Sequence, residues 1–89
     1  MPVISMFYGL IVLMYYLDTK KHKLPHIHVK YAEFEAVYQI PEGNILEGSL
    51  PSNKAKLVSA WIEIHLDELM ANWELASTGN KVFMIDPLK

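Results

Sequence analysis

The fold is decided by two neighbouring stretches, Leu24-Pro25-His26-Ile27-His28-Val29-Lys30-Tyr31 and Phe34-Glu35-Ala36-Val37-Tyr38-Gln39-Ile40. Both are rich in β-branched and aromatic residues and place their apolar side chains at alternate positions, which is typical of β-strands. Only Ala32 and Glu33 separate them. We therefore predict a hairpin of strands 26–31 and 34–40 with a two-residue turn, although this turn lacks the usual Asn-Gly signal.

The two-residue turn fixes the register of this hairpin, because successive side chains of a strand point to opposite faces. Tyr31 is set opposite Phe34, and His26 opposite Gln39. One predicted face, the core face, carries Ile27, Val29, Tyr31, Phe34, Ala36 and Tyr38. The other, predicted to be open, carries His26, His28, Lys30, Glu35, Val37 and Gln39. There, Lys30 and Glu35 are expected to form a cross-strand ion pair, which would contribute a few tenths of a kcal/mol.

Two further strands extend the predicted sheet. Residues 10–17 are apolar at every position, as in a strand that is covered on both faces. Residues 4–8 before them form a short strand or an extended arm, with Gly9 as a bend. After a loop at Glu42–Asn44, residues 45–48 form the last strand, with Leu46 on the core face and Glu47 opposite Gln39.

A long helix follows the predicted strands. It begins near Pro51 and Ser52, covers residues 53–76 and stops before Gly79. A stripe with helical spacing is formed by Val58, Trp61, Ile62, Leu69, Trp73 and Ala76, flanked by Leu57, Ile64, Leu66 and Leu75. Residues 81–86 form a short tail or an edge strand. The predicted fold is a single α+β domain, an antiparallel sheet of about four strands packed on one face by a single long C-terminal helix.

Composition narrows the function classes. The 89 residues include 52% hydrophobic types, which is high for so small a domain and suggests that a partner or a second copy covers some apolar surface. There is no cysteine, which excludes disulfides and thiolate chemistry and fits a cytoplasmic protein. Residues 1–17 carry no charge, but Pro2 and Gly9 interrupt them and no basic region precedes them, so we expect no membrane role.

The net charge of −2 argues against nucleic-acid binding, which usually needs a basic patch. Such a patch would have to come from Lys20, Lys21, Lys23 and Lys30. We interpret the cluster at residues 20–23 as a solvated turn.

His26 and His28 are the strongest candidates for chemistry. Two residues apart on a strand, they point to the same side and could give two ligands to a divalent metal such as zinc, or act as an acid and a base without one. The same face offers Lys30, Glu35, Gln39 and Glu47 as binding residues, with a row His26–Gln39–Glu47 across three strands. A metal site needs at least a third ligand. We therefore predict no cofactor, and interpret the two histidines as interface residues on a partly apolar face.

His65 is the third candidate catalytic residue. It lies within the apolar stripe of the helix, with Glu68 and Asn72 one and two turns further on. A histidine in such a stripe is more often a core residue bonded to the backbone or to a neighbour such as Tyr15 or Tyr38. If it faces the core, it cannot share a metal with His26 and His28 unless it comes from a second subunit.

Seven short motifs run through the chain: Ile4-Ser5, Phe7-Tyr8-Gly9, Met14-Tyr15, Pro25-His26-Ile27-His28, Glu47-Gly48-Ser49-Leu50-Pro51, Trp61-Ile62-Glu63-Ile64-His65 and Asn72-Trp73-Glu74-Leu75. Together they resemble the bacterial family catalogued as domain of unknown function 4160. Many members read Pro-Pro-His-Phe-His, where this chain has Leu24 and Ile27. The resemblance implies that His26, His28 and His65 belong to the family pattern, and it carries no established activity.

Members of that family are small cytoplasmic proteins, often encoded beside another small domain of unknown function. The resemblance thus implies a toxin–antitoxin-like or regulatory pair. We predict a protein that acts by protein–protein contact, as a homodimer or with a small protein partner. The alternative is a small ribonuclease or metal-dependent hydrolase that uses His26 and His28.

Overall fold

The computed structural model describes residues 2–14 and 24–88, which form five antiparallel strands followed by two helices. The strands are β1 (Val3–Phe7), β2 (Leu10–Leu13), β3 (His26–Tyr31), β4 (Phe34–Gln39) and β5 (Ile45–Ser49), paired in chain order. The helices are α1 (Ser52–Ile64) and α2 (Leu66–Ser77). The predicted α+β class is confirmed, and the sheet has five strands instead of about four.

The additional strand is β1, which the sequence left open between a strand and an arm. Tyr8 and Gly9 form a tight turn with positive φ angles of 50° and 81°, so that Phe7 comes to lie opposite Leu10. The next strand, β2, ends at Leu13, and residues 15–17 of the predicted strand lie outside the described residues.

The central hairpin has the predicted register. All six pairs from His26 opposite Gln39 to Tyr31 opposite Phe34 are present, and Ala32 and Glu33 form the turn. Ala32 adopts a left-handed φ of 51°. The register was predictable here because a slip by one residue would move the apolar side chains from the buried face to the other face.

The register of β5 differs from the prediction. Glu47 lies opposite Val37, not Gln39, and Ile45 lies opposite Tyr38. The backbone N–H of Gln39 donates to Asn44 (2.8 Å), so pairing resumes earlier than a Glu42–Asn44 loop allows. A bulge at Leu46 then shifts the pairing by one residue between Tyr38 and Val37. Leu46 is half-buried and does not lie opposite a core residue.

The predicted single helix is two helices. The break lies at His65, whose φ of −110° and ψ of 27° depart from helical values. Hydrogen bonds from His65 N to Trp61 O (3.0 Å) and from Leu69 N to His65 O (2.9 Å) continue across it. Residues 52–77 contain neither proline nor glycine, so the sequence held no sign of the break.

The core lies between the sheet and both helices. Trp61 of α1 is fully buried and its ring centroid lies 5.4 Å from that of Phe7. The predicted stripe residues Val58, Trp61, Ile62, Leu69 and Trp73 are buried, whereas Ile64, predicted on the flank of the stripe, is exposed. The opposite sheet face is covered in part and not open throughout as predicted, since His26, His28, Val37 and Leu13 are all buried.

Residues 80–88 form no strand, and are held to the rest of the domain by hydrogen bonds. The N–H of Ile85 donates to Ile4 on β1 (2.7 Å), and the indole N–H of Trp61 donates to the carbonyl of Asp86 (2.8 Å). Asn72 of α2 both donates to Phe83 O (2.8 Å) and accepts from Phe83 N (3.0 Å). We call residues 81–88 the C-terminal segment.

Candidate functional site

The strand β3 brings the rings of His26 and His28 together, as the alternation predicts. Their centroids lie 5.2 Å apart in an edge-on arrangement. His26 is fully buried and His28 is 7% exposed. The interface interpretation of these two residues is therefore wrong for the single chain, which covers both of them by itself.

His26 is held at both sides of its ring. Its Nδ1 lies 2.7 Å from the carbonyl oxygen of Leu24, and because a carbonyl can only accept, Nδ1 carries the proton. Its ring centroid lies 5.1 Å from that of Trp73. We expected the helix to lie away from the histidines, but α2 reaches His26 through this tryptophan.

His28 is associated with a carboxylate instead of the predicted row. Its Nδ1 lies 3.6 Å from Oε2 of Glu35, one strand over. Lys30 is opposite Glu35 as predicted, yet the carboxylate of Glu35 lies beside the ring of His28. Gln39 lies opposite His26, but Glu47 lies in the row of His28 and Val37, so the row His26–Gln39–Glu47 does not form.

Both histidines are packed within the chain, and a ring nitrogen of His26 is already engaged. Burial removes the rings from solvent, and His26 uses Nδ1 to satisfy a backbone carbonyl. Over residues 2–14 and 24–88, no three histidine, aspartate or glutamate residues converge as metal ligands would.

His65 lies apart from this pair, at the break between the helices. Its Nδ1 lies 2.6 Å from Oε1 of Glu68, and its ring centroid lies 5.5 Å from that of Trp61. The expected nearness of Glu68 is confirmed, and Glu68 takes the place of the expected partner Tyr38. The other expected partner, Tyr15, lies outside the described residues.

A shallow depression of about 320 Å³ opens beside His65. It is lined by Ile64, His65, Asp86, Pro87 and Leu88. The sequence did not suggest Asp86, because its position depends on the C-terminal segment, which follows no periodic pattern. The sequence also suggested no structural role for Asn72. Its position three residues after Leu69, on the apolar side of α2, was a signal that its side chain is buried.

One buried phenol stands out on the core side of the sheet. Burial raises the pKa of Tyr38 above its ordinary value of 10.0. Within the described part of the chain, its hydroxyl has no hydrogen-bond partner. Tyr38 therefore stays neutral at physiological pH and serves the core.

Two predictions concern surfaces. The lysines at positions 20, 21 and 23 lie outside the described residues, and Lys30 is half-buried on β3. Neither described helix is both long enough and apolar enough to cross a bilayer.

Comparison with known proteins identifies the family of this chain. No curated protein and no solved structure matches this chain significantly. A family described as domain of unknown function (DUF4160) matches residues 9–74, from the turn before β2 into α2, and this stretch includes His26, His28 and His65. Because the match covers well over half of the sequence, the chain belongs to the DUF4160 family.

Proposed function

We propose that this protein acts by protein–protein contact, through apolar side chains on the exposed part of β1 and β2. Met6 and Ile11 are directly opposite each other and share one sheet face. They are 59% and 38% exposed. Two exposed apolar side chains side by side on one sheet face support a surface that another protein covers. We call Met6 and Ile11 the β1–β2 patch.

The surroundings of the patch resemble the rim of an interface. The row that contains Met6 and Ile11 continues across the sheet to Lys30 and Glu35. Protein interfaces commonly combine an apolar centre with a charged or polar border. At the end of the β1–β2 hairpin, Lys54 Nζ donates to the carbonyl of Tyr8 (2.9 Å), which fixes the hairpin against α1. A partner would therefore meet a preformed surface.

The partner is a second copy of the chain or a small protein encoded beside it. The resemblance to a family whose members often lie next to another small gene supports a toxin–antitoxin-like or regulatory pair in the cytoplasm. The high apolar content of the sequence supports the same proposal.

The test uses lysine substitutions in the patch. We expect Met6→Lys and Ile11→Lys each to weaken self-association, or binding to the adjacently encoded protein, at least tenfold, because a charge would be buried at the contact. Sedimentation velocity and calorimetric titration measure the two cases. Met84→Lys is the matched control, since Met84 is 63% exposed and lies in the C-terminal segment.

The proposal fails if the protein is monomeric and does not bind its gene neighbour. It also fails if the patch variants associate as tightly as the parent protein. Loss of association in Met84→Lys to the same degree would show that added charge, not the patch, is responsible.

A small ribonuclease or metal-dependent hydrolase that uses His26 and His28 stays the alternative. What favours it is the close approach of the two rings. His26→Ala and His28→Ala separate the two functions. If these variants keep their fold and partner binding but lose a cellular effect, the enzyme is favoured. Salt-sensitive binding to RNA would favour a nucleic-acid substrate. The net negative charge of the chain argues against such a substrate.

A further inference from the structure

We infer that the depression beside His65 is a docking site for a basic side chain, an arginine or lysine of the protein partner. The inference rests on the proposed function, because the occupant belongs to that partner. The depression is a different surface from the β1–β2 patch. It requires a positively charged side chain of the partner, whereas the patch requires only apolar ones.

The carboxylates at the depression make it acidic. Asp86 lies in the lining and is exposed, so its carboxylate is open to a ligand. Oε1 of Glu68 lies 2.6 Å from Nδ1 of His65, which brings a second carboxylate beside the ring that lines the depression. Carboxylates suit a donor with several N–H groups and a positive charge.

The ring of His65 and the backbone at Asp86 are both held in place by the protein. His65 is oriented by Glu68 and lies against Trp61, with only 13% of its side chain exposed. The backbone at Asp86 is fixed because the indole of Trp61 donates to its carbonyl at 2.8 Å. A single tryptophan thus supports both sides of the depression, and a ligand would need to order little on binding.

The local charge is one-sided. Residues 57–80 contain no lysine or arginine, whereas Glu63, Asp67 and Glu68 lie within three residues of His65. The last turn of α1 has no basic residue, and the first turn of α2 contains two acids. Where the C-terminal end of α1 meets the N-terminal end of α2, the partial charges of the two helix ends offset each other, and side-chain charges decide the field. This field attracts a cation.

The remaining walls suit the aliphatic stem of such a side chain. Ile64, Pro87 and Leu88 are apolar, and Ile64 is 65% exposed. Arginine and lysine bury their methylene groups along apolar surfaces while the charged end finds a polar partner. A volume of about 320 Å³ is near the lower limit of ligand pockets, enough for one long side chain.

The test titrates the protein with N-acetylarginine amide, followed by NMR of the His65 ring and of the Asp86 and Leu88 amides. N-acetylcitrulline amide is the uncharged ligand of nearly the same shape. We expect saturable shifts with the arginine compound and at least fivefold weaker binding of the citrulline compound. Asp86→Asn should weaken arginine binding at least fivefold, and it should fold normally because only the backbone of Asp86 is bonded to Trp61.

Asp67→Asn is the matched control, since it removes an equal charge from α2 outside the depression. Equal binding of the two ligands, equal weakening by Asp67→Asn, or no saturable shift would each overturn the site. If patch variants abolish partner binding and Asp86→Asn leaves it unchanged, the docking role of the depression fails and the proposed function stands. If arginine binds at Asp86 but no protein partner or dimer forms, the proposed function fails.

Discussion

The side chain of Tyr38 is almost fully buried, and its hydroxyl has no hydrogen-bond partner within the described residues. In the unfolded chain this hydroxyl forms hydrogen bonds with water. Burying it without a partner loses those bonds and therefore destabilises the folded state. We expect Tyr38→Phe to raise the free energy of unfolding by about 1 kcal/mol, as measured by urea denaturation. Tyr8→Phe, at an exposed position, should leave it unchanged. A loss of stability in Tyr38→Phe would show that the hydroxyl is satisfied.

The same residue predicts an alkaline effect. Because burial raises the pKa of Tyr38 above 10.0, the folded protein retains the phenol proton at a pH where the unfolded chain releases it. The stability associated with the neutral phenol is complete below about pH 10 and is lost as the pH rises towards the folded-state pKa. The stability advantage of Tyr38→Phe over the parent should therefore grow above about pH 10. A constant difference between the two proteins from pH 8 to 11 would contradict this.

For single residues, the sequence predicts the side of a strand to which a side chain points better than it predicts whether that side chain is buried. Alternation placed His26 and His28 on one side of β3, and the observed approach of their rings agrees with it. It could not tell whether that side was covered, because Trp73 reaches His26 from a residue 47 positions later in the sequence. Burial depends on such distant contacts. The sequence therefore predicts interface residues at these two positions, where the structure has buried ones.

Among the elements, β5 depends on a residue without a side chain. Gly48 has a φ of +78°, and a Cβ there would lie 2.1 Å from the carbonyl oxygen of Glu35. Gly79, after α2, has a φ of +80° but no atom within 4 Å of such a Cβ. Both alanine variants should lose about 1–2 kcal/mol to the left-handed backbone. Gly48→Ala should lose a further 1–3 kcal/mol because β4 and β5 must move apart.

Urea denaturation of the two variants measures this difference, and the shared φ makes Gly79→Ala the control for backbone strain. Equal losses in both variants would mean that β5 adjusts without cost. Hydrogen exchange at the β4–β5 ladder should increase in Gly48→Ala alone, since only that pairing is disturbed.

The elements show where sequence patterns stop being informative. The hairpin of β3 and β4 was predictable in full because a two-residue turn leaves one register. The next register was not, since the Gln39–Asn44 hydrogen bond and the bulge at Leu46 are set by the loop. No proline or glycine lies near the break at His65, so the sequence does not predict it. The apolar stripe also continues across the break with unchanged helical spacing.

Asn72 joins α2 to the C-terminal segment, and it does so with both ends of its amide. Phe83 N and O are both bonded to this fully buried side chain. Asn72→Ala would leave two backbone groups without a partner and should lower the free energy of unfolding by about 2–4 kcal/mol. Asn80→Ala is the control, because the exposed Asn80 side chain donates only to Thr78. An effect of Asn72→Ala no larger than that of Asn80→Ala would show that the segment is not held there.

For the whole molecule, the C-terminal segment connects parts that are distant in the sequence. It is bonded to β1 through Ile85 and Ile4, to α1 through Asp86 and Trp61, and to α2 through Phe83 and Asn72. The sheet order leaves β1 at one edge, and an uncovered edge strand invites pairing with other chains. The segment therefore completes the core and also occupies part of an edge.

A chain that ends at Asn80 tests this role. It would expose the Ile85 site, at a cost of about 2–3 kcal/mol, and leave buried groups of Trp61 and Asn72 without partners, at about 1–3 kcal/mol each. That total approaches the whole stability of a small domain, about 5–15 kcal/mol, so we expect the shortened chain to be largely unfolded or aggregated at 37 °C. Circular dichroism and sedimentation velocity measure the two outcomes. A chain that ends at Pro87 keeps all three connections and should fold. If the chain ending at Asn80 melts within a few degrees of the parent, the strands and helices are stable alone, and the segment only shapes the depression beside His65.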